Sequence, residues 1–417
     1  MTRFNRGMKF SLITGPSNNN AKADFASGCG VSGFTFTKFI KFLLLSGYNM
    51  VESDADFYII SSCCISQGTR DLIENTLKQR AETTSKPIVL FGCFAGIKLP
   101  ETHEIIRLPA KELDSADILF DKDPDLSVMD VLVSSNDQQI FFSKTIPFPE
   151  PKVVSKRENI VISHGCNYKC TFCNIKAAKG NPKSRTIENI VCDIKRLFKL
   201  SGDNSRLKKR VLVELHSDDP GSYGTDINTN LPCLIDKIIE IDPLIDLKLH
   251  AVHPNTLFKF RDDMLRLIKT SRIIGLDLPI QSGSNRILKL MKRNQYDINR
   301  FVDIIKDIRK LSPNINLTSQ IIINFPSETI AELQQSLEVG NMFDQCDYIS
   351  YSDQDNIPSY KLPGKVSQAK QLRRIQFVER YINITEKGKL YKFDELADDT
   401  ERYTWWMGDN WSIKYEN

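Results

Sequence analysis

The chain has 417 residues, 41% of them hydrophobic and 26% charged, with a formal net charge of +4. That length calls for two or three domains, and that balance excludes a disordered or fibrous chain. No run of about 18 apolar residues occurs. The first 20 residues carry no apolar signal core, so a cytoplasmic protein with no membrane partner is expected.

The charge is uneven along the chain. Residues 1–150 hold 15 basic and 18 acidic side chains, residues 151–375 hold 35 and 25, and residues 376–417 hold 6 and 9. The middle segment therefore carries the whole excess, which suits an anionic partner such as RNA and equally suits a solvated lysine-rich surface. Ten cysteines in a chain of this kind point to metal binding or catalysis rather than to disulfides.

In chain order, residues 9–13 read as a first strand and 34–45 as an apolar helix ended by Gly47. A buried strand at 57–60, a helix at 69–83 and a strand at 87–91 follow. Strands alternating with helices imply a small parallel α/β domain over residues 1–142. Cys63 and Cys93 lie just past strand ends and Cys29 just before a helix, so all three are placed to reach one edge of that sheet. A single cysteine there reads as a small buried hydrophobe; three together make a second metal site an equal expectation.

The Pro-rich stretch at 143–157 reads as a linker. Strands are then expected at 160–163, 211–215, 247–252, 273–279, 317–323 and 348–351. Helices are expected at 187–199, 230–240, 264–269, 285–291, 299–310 and 329–342. Six strand–helix units over residues 158–384, the last ending in a basic helix from about 363, imply a partial (βα)6 TIM-like barrel. Residues 385–417 read as a short acidic tail that holds Trp405, Trp406 and Trp411.

The loop after the first of these strands carries Cys166, Cys170 and Cys173 as Cys-x3-Cys-x2-Cys. Thiolates this dense suit zinc or an iron–sulfur cluster, and no matched Cys/His pair follows at zinc-finger spacing. Three ligands on a four-iron cluster leave one iron open for a non-protein ligand. Cys192, Cys233 and Cys346 read as packing residues, and His103, His216, His250 and His253 show no ligand-like spacing.

With Phe172 before the third cysteine, this spacing resembles the signature of the radical S-adenosylmethionine (SAM) enzymes. Further blocks resemble one branch, the radical SAM methylthiotransferases. These are Ser184-Arg185, Tyr223-Gly224-x-Asp226, Pro279-Ile280-Gln281-Ser282-Gly283-Ser284 with Met291-x-Arg293, and Asn324-Phe325-Pro326-Ser327-Glu328-Thr329. Residues 218–232 are most similar to the members that methylthiolate threonylcarbamoyladenosine beside the tRNA anticodon. There are departures. Asp277 stands where the family commonly has His, and Asn324 and Ser327 replace two glycines. The family's usual carboxyl-terminal β-barrel is not expected within residues 385–417, which are too few to form it.

The resemblance implies two [4Fe-4S] clusters and SAM as cofactors. Cys166, Cys170 and Cys173 would hold the SAM-binding cluster, and Cys29, Cys63 and Cys93 the second. Gln281, Ser282, Gly283, Phe325 and Pro326 would line the SAM pocket, with no catalytic residue beyond the cluster ligands. It further implies a flavodoxin- or ferredoxin-like electron donor and insertion of a methylthio group at an unactivated C–H bond of a tRNA adenosine. A protein or peptide side chain as substrate keeps the same chemistry, and a non-enzymatic iron–sulfur electron carrier is the more distant reading.

Overall fold

The computed structural model describes residues 3–13, 30–62, 67–96, 105–135, 137, 156–200 and 206–391. Cys29, Cys63, Cys64, His103, the three tryptophans and most of the expected linker and tail lie outside these residues. Within them the chain forms two compact units. One holds residues 3–137 and 174–181, the other residues 156–173 and 182–391.

The first unit is built on five parallel strands: β1 (Lys9–Leu12), β2 (Asn49–Met50), β3 (Phe57–Ser62), β4 (Ile88–Gly92) and β5 (Ile105–Pro109). Their order is β2-β1-β3-β4-β5. Phe57, Ile59, Val89 and Phe91 face the helix Gly30–Leu45 and pack with its Phe36, Phe39 and Leu43. Ile60, Ile88 and Leu90 pack with Ile73 and Leu77 of the helix Gln67–Thr83. Burial on both faces explains why β3 and β4 read as continuous apolar runs. Ser62 pairs with Gly92, so the chain leaves the sheet at neighbouring points just before Cys63 and Cys93.

The second unit opens with β6 (Lys156–Val161) and a short antiparallel pair, β7 (Ser163–His164) with β8 (Lys183–Ser184). It continues with β9 (Val211–His216), β10 (Ile245–Leu249), β11 (Ile273–Asp277), β12 (Asn316–Ile323), β13 (Gln345–Ser350) and β14 (Leu390–Tyr391). Apart from β7 and β8 these form one parallel sheet in the sequential order β6-β9-β10-β11-β12-β13-β14. Helices fill the crossovers, among them Ile187–Leu197, Leu231–Ile239, Arg261–Lys269, Ile298–Leu311 and Ile330–Gly340. This is the partial (βα)6 barrel of the expectation. Thr186, Asn230, Ser284, Asp297 and Thr329 each cap a helix by accepting a backbone N–H, which fixes where the crossovers start.

Two boundaries differ from the sequence reading. β6 starts at Lys156, inside the expected linker, and β14 lies inside the expected tail and pairs with β13. Arg157 and Asn159 alternate with buried residues on a strand whose inner side is polar, so apolar patterning hid its first half. Two residues of β14 are too few to show a period. No helix among the described residues is long and apolar enough to cross a membrane.

Candidate functional site

Because the strands of the barrel sheet run in one direction, their carboxyl ends share one edge. The cysteine loop follows β6 there. Backbone bonds fix it: Thr171 N–H donates to Met291 O (3.0 Å), Ser359 N–H to Thr171 O (2.9 Å) and Cys173 N–H to Cys170 O (3.2 Å). Phe172 packs beside Ile287, Met291, Ile322 and Phe325, which accounts for an aromatic before the third cysteine. Cys166, Cys170 and Cys173 are each half-buried and none is in a disulfide. Burial pushes the Cys166 thiol up, and Asp219, Cys173 and Cys170 push it further.

The other sequence blocks are the scaffold of this loop. Gly165 N–H donates to Asp218 Oδ2 (2.8 Å) and Asn167 N–H to Ser222 Oγ (3.1 Å). Tyr223 OH donates to Arg185 O (2.8 Å), Gly224 N–H to Ser184 Oγ (2.9 Å) and Ser184 N–H to Asp226 Oδ2 (2.8 Å). The Ser-Arg and Tyr-Gly-x-Asp blocks thus recur together because they bind each other. Asp219, its carboxyl pushed up by burial, accepts from Ser222 Oγ and from the backbone N–H groups of Gly221 and His253. The Tyr168 ring stacks on His253 with centroids 3.7 Å apart.

The loops after β10, β11 and β12 bend through left-handed backbone at Ala251 (φ 55°), Gln281 (φ 68°), Asn324 (φ 64°) and Ser327 (φ 67°). Such non-glycine residues cluster at functional sites. Asn324 and Ser327 are the positions that differ from glycine in the resemblance, and their positive φ is the reason glycine suits them. Ser327 is held by Gly364 O and Pro363 O. Gln281 bridges β12 through Gln320 O and Ile322 N–H, and its buried Oε1 has no partner among the described residues. The same holds for Asn324 Oδ1 and His253 Nε2. Ser282 is fully buried, and Gly283 N–H donates to Ser336 Oγ (2.8 Å). A Cβ at Gly283 would come 2.5 Å from Gln335 O, so glycine is what lets the turn sit on the helix Ile330–Gly340. Phe325 and Pro326 are buried, with Phe325 edge-on to Tyr351.

Residues 160–339 match the family model described as the radical SAM superfamily. That segment is a radical SAM domain. The chain is similar to a probable threonylcarbamoyladenosine tRNA methylthiotransferase of Pyrococcus horikoshii, with 28% identity covering 84% of this chain and 82% of that protein. It is similar to the human threonylcarbamoyladenosine tRNA methylthiotransferase at 26%, over 78% of this chain and 53% of that one. It is also similar to a tRNA-2-methylthio-N(6)-dimethylallyladenosine synthase of Clostridium botulinum at 26%, over 88% and 82%. A radical SAM methyltransferase structure from Kitasatospora setae shares the fold with a TM-score of 0.50 at 12% identity, covering 89% of this chain and 75% of that one. With this domain, and with similarity to proteins named as methylthiotransferases over most of its length, the chain is an enzyme of the transferase class.

A radical SAM domain implies SAM and a [4Fe-4S] cluster, and the residues fit both. Three half-buried thiols, with Cys173 and Cys170 helping to raise the pKa of Cys166, are a donor set that a bound cationic cluster relieves. Buried polar atoms without partners at the carboxyl ends of three adjacent strands suit a ligand that both donates and accepts.

The structure also joins residues that the sequence left apart. On the inner side of β9 and β10, Glu214 Oε2 lies 2.5 Å from His250 Nε2, and Glu214 Oε1 lies 2.5 Å from Arg157 Nε. The His216 and His250 rings stack at 4.2 Å, and Lys248 completes the group. Burial lowers the His250 pKa to about 4 and that of Lys248 to about 8. With two cations already against the carboxylate, a metal ion would have to displace them, so the cluster is an ion network. Its sequence signal was polar residues at period two in otherwise apolar strands: Glu214 and His216, Lys248 and His250. Asp277 accepts from Ala251 N–H and Thr318 Oγ1, and burial raises its pKa to about 6.

Cys93 is 3% exposed among Ile60, Ile73, Leu90 and Phe94, with Ser32 Oγ 3.3 Å from its sulfur. Cys346 is buried in β13 as expected of a packing residue. Cys192 and Cys233 are exposed, on the outer faces of helices that bury Ile190 and Ile194, and Leu234 and Ile235. Packing is therefore not their role.

Beside the Phe-Pro turn, Glu328 is almost fully buried. It accepts from Asn324 N–H (2.8 Å) and Arg374 Nη1 (3.1 Å). Burial outweighs these partners and raises its pKa to about 8. The folded state then binds more protons than the unfolded state between the ordinary carboxyl range and pH 8, so this group's stabilising contribution is lost as pH rises through that window. Glu328→Gln is expected to flatten the fall in thermal midpoint between pH 5 and pH 8.5. A variant with the parent's slope would show that Glu328 does not titrate there.

Proposed function

We propose that this radical SAM protein is a methylthiotransferase that places a methylthio group at an unactivated C–H bond of a tRNA adenosine beside the anticodon. The observation that carries this reading is similarity extending over both units to proteins named as tRNA methylthiotransferases. The excess of basic side chains over residues 151–375 supports a polyanionic substrate. The likeness of residues 218–232 supports threonylcarbamoyladenosine as the nucleoside.

In this reading residues 1–142 form the domain of the second cluster and 158–384 the SAM barrel. Cys166, Cys170 and Cys173 hold the first cluster. The cluster and SAM, when bound, supply reductive cleavage of SAM and hence a radical able to take hydrogen from carbon. The chain's own residues orient and exclude. Gln281 and the Phe325-Pro326 turn face the cofactor, while Ser282 and Gly283 seat that turn on the helix behind it. Half-buried Tyr168 and buried His253 and Tyr296 keep water from the layer beneath the cysteine loop. Cys29, Cys63 and Cys93 hold the second cluster and present the sulfur. An electron donor of the flavodoxin or ferredoxin class completes the system.

Reconstituted protein with dithionite should form 5′-deoxyadenosine from SAM. Serine at Cys166, Cys170 or Cys173 should lower that yield more than the roughly 10–100-fold typical of losing an outer-shell partner. Mass spectrometry of tRNA nucleosides from a deletion strain should show loss of a methylthiolated adenosine. Unchanged nucleosides alongside intact SAM cleavage would sink the tRNA assignment and leave the radical chemistry standing.

A further inference from the structure

The end of the helix Asn285–Leu290 does more than hold the cysteine loop. Leu290 O accepts from Thr171 Oγ1 (3.0 Å) and Met291 O from Thr171 N–H (3.0 Å). Two residues on, Arg293 is 4% exposed and reaches back to the same loop. Its Nη1 lies 3.6 Å from Cys170 Sγ, within range for a hydrogen bond to sulfur, and its Nη2 donates to Pro279 O (2.6 Å). Its backbone N–H is tied to Leu288 O (2.8 Å). The guanidinium thus spans the carboxyl end of β11 and the cysteine loop, clamped at both ends. Among the described residues no carboxylate forms an ion pair with it, although Asp219 acts on it at longer range, whereas the buried Arg374 of this region bonds Glu328. An arginine keeps its charge when buried.

We propose that Arg293 is a positioning residue for the cluster: it donates a hydrogen bond to the Cys170 sulfur and, as a fixed buried cation, raises the cluster's reduction potential. The step it favours adds one electron from an external low-potential reductant, with no bond to a cysteine made or broken. The added negative charge is stabilised by a cation held close in a medium of low dielectric constant. Hydrogen bonds to ligand sulfur act in the same direction. The inference rests on Cys166, Cys170 and Cys173 being the ligands.

Two measurements on the reconstituted full chain test it. In the first, clusters of the parent, Arg293→Gln and Arg293→Lys are titrated with dithionite and followed by electron paramagnetic resonance, using the signal that SAM perturbs. The reduced-to-oxidised ratio at fixed potential should fall about tenfold in Arg293→Gln, ~59 mV for one electron. Arg293→Lys, which keeps the charge, should recover most of it. A ratio unchanged in Arg293→Gln overturns the proposal. The second needs no substitution. Parent protein labelled with 15N-arginine should show nitrogen coupling in the reduced, SAM-sensitive signal, and its absence overturns the contact. Absence of any SAM-sensitive signal would instead overturn the ligand assignment.

Discussion

Replacing Cys93 with alanine is expected to abolish methylthio transfer while leaving SAM cleavage near the parent rate. Two roles compete for this side chain. It is 3% exposed in an apolar cluster, as a small buried hydrophobe would be. It also follows β4 directly, and the Ser62–Gly92 pairing brings the chain before Cys63 to the same edge of the sheet. Alanine separates the roles, since it removes one sulfur from a buried site and leaves the backbone free to keep its course. If packing is the only role, transfer and cleavage both survive with a modest loss of stability. If Cys93 is a ligand, iron should fall from about eight atoms per chain to about four, because three thiolates are the minimum that leaves a single open iron. Product formation should fall to background, and 5′-deoxyadenosine should still accumulate from the barrel. Retention of both the iron and the thiomethylated product would remove the second cluster from the mechanism.

The chemistry-bearing loop was legible because its signal is local: three thiols at fixed spacing and one aromatic. The α/β alternation was legible because both sheets are parallel and covered, which leaves apolar runs between capped helices. What escaped the sequence was set by pairing at a distance. Ser184 and Tyr223-Gly224-x-Asp226 read as separate blocks, yet they bond each other. Asn324 and Ser327 read as departures from glycine, and the structure shows them adopting the left-handed backbone that glycine serves elsewhere. Arg293 read as the last letter of a motif, with nothing local to say that its side chain returns to Cys170. The inner face of the barrel was the largest omission, since a polar interior erases the apolar period that reveals a strand.

That interior carries the second large prediction. Glu214 is the one carboxylate against which Arg157, Lys248 and His250 are all set. Burial alone would raise its pKa, but the Arg157 and Lys248 cations, helped by His250, hold it well below the ordinary carboxylate range. Lys248 is 2% exposed, and its stem passes Gly275 so closely that a Cβ there would come 2.9 Å from Cγ, so it has no route to solvent. Arg157 lies nearer the surface, with its side chain 20% exposed. Glu214→Gln therefore removes the strongest opposite charge from a buried ammonium, and losing one partner of a buried pair costs about 3–5 kcal/mol. For a unit of this size that is a fall of about 10 °C in thermal midpoint at pH 7. The pH dependence has a definite sign. The Lys248 pKa is already lowered to about 8, chiefly by burial, and Glu214 is what keeps it from falling further. Without Glu214 the folded state sheds the proton at lower pH while the unfolded chain keeps it up to the ordinary lysine range. Stability then rises with pH, and the deficit of Glu214→Gln should be smaller at pH 9 than at pH 7. Adding Lys248→Met should remove part of the deficit, so that the double variant is more stable than the sum of the singles predicts. Strict additivity, or a deficit that grows towards pH 9, would show that the two side chains do not form one electrostatic unit.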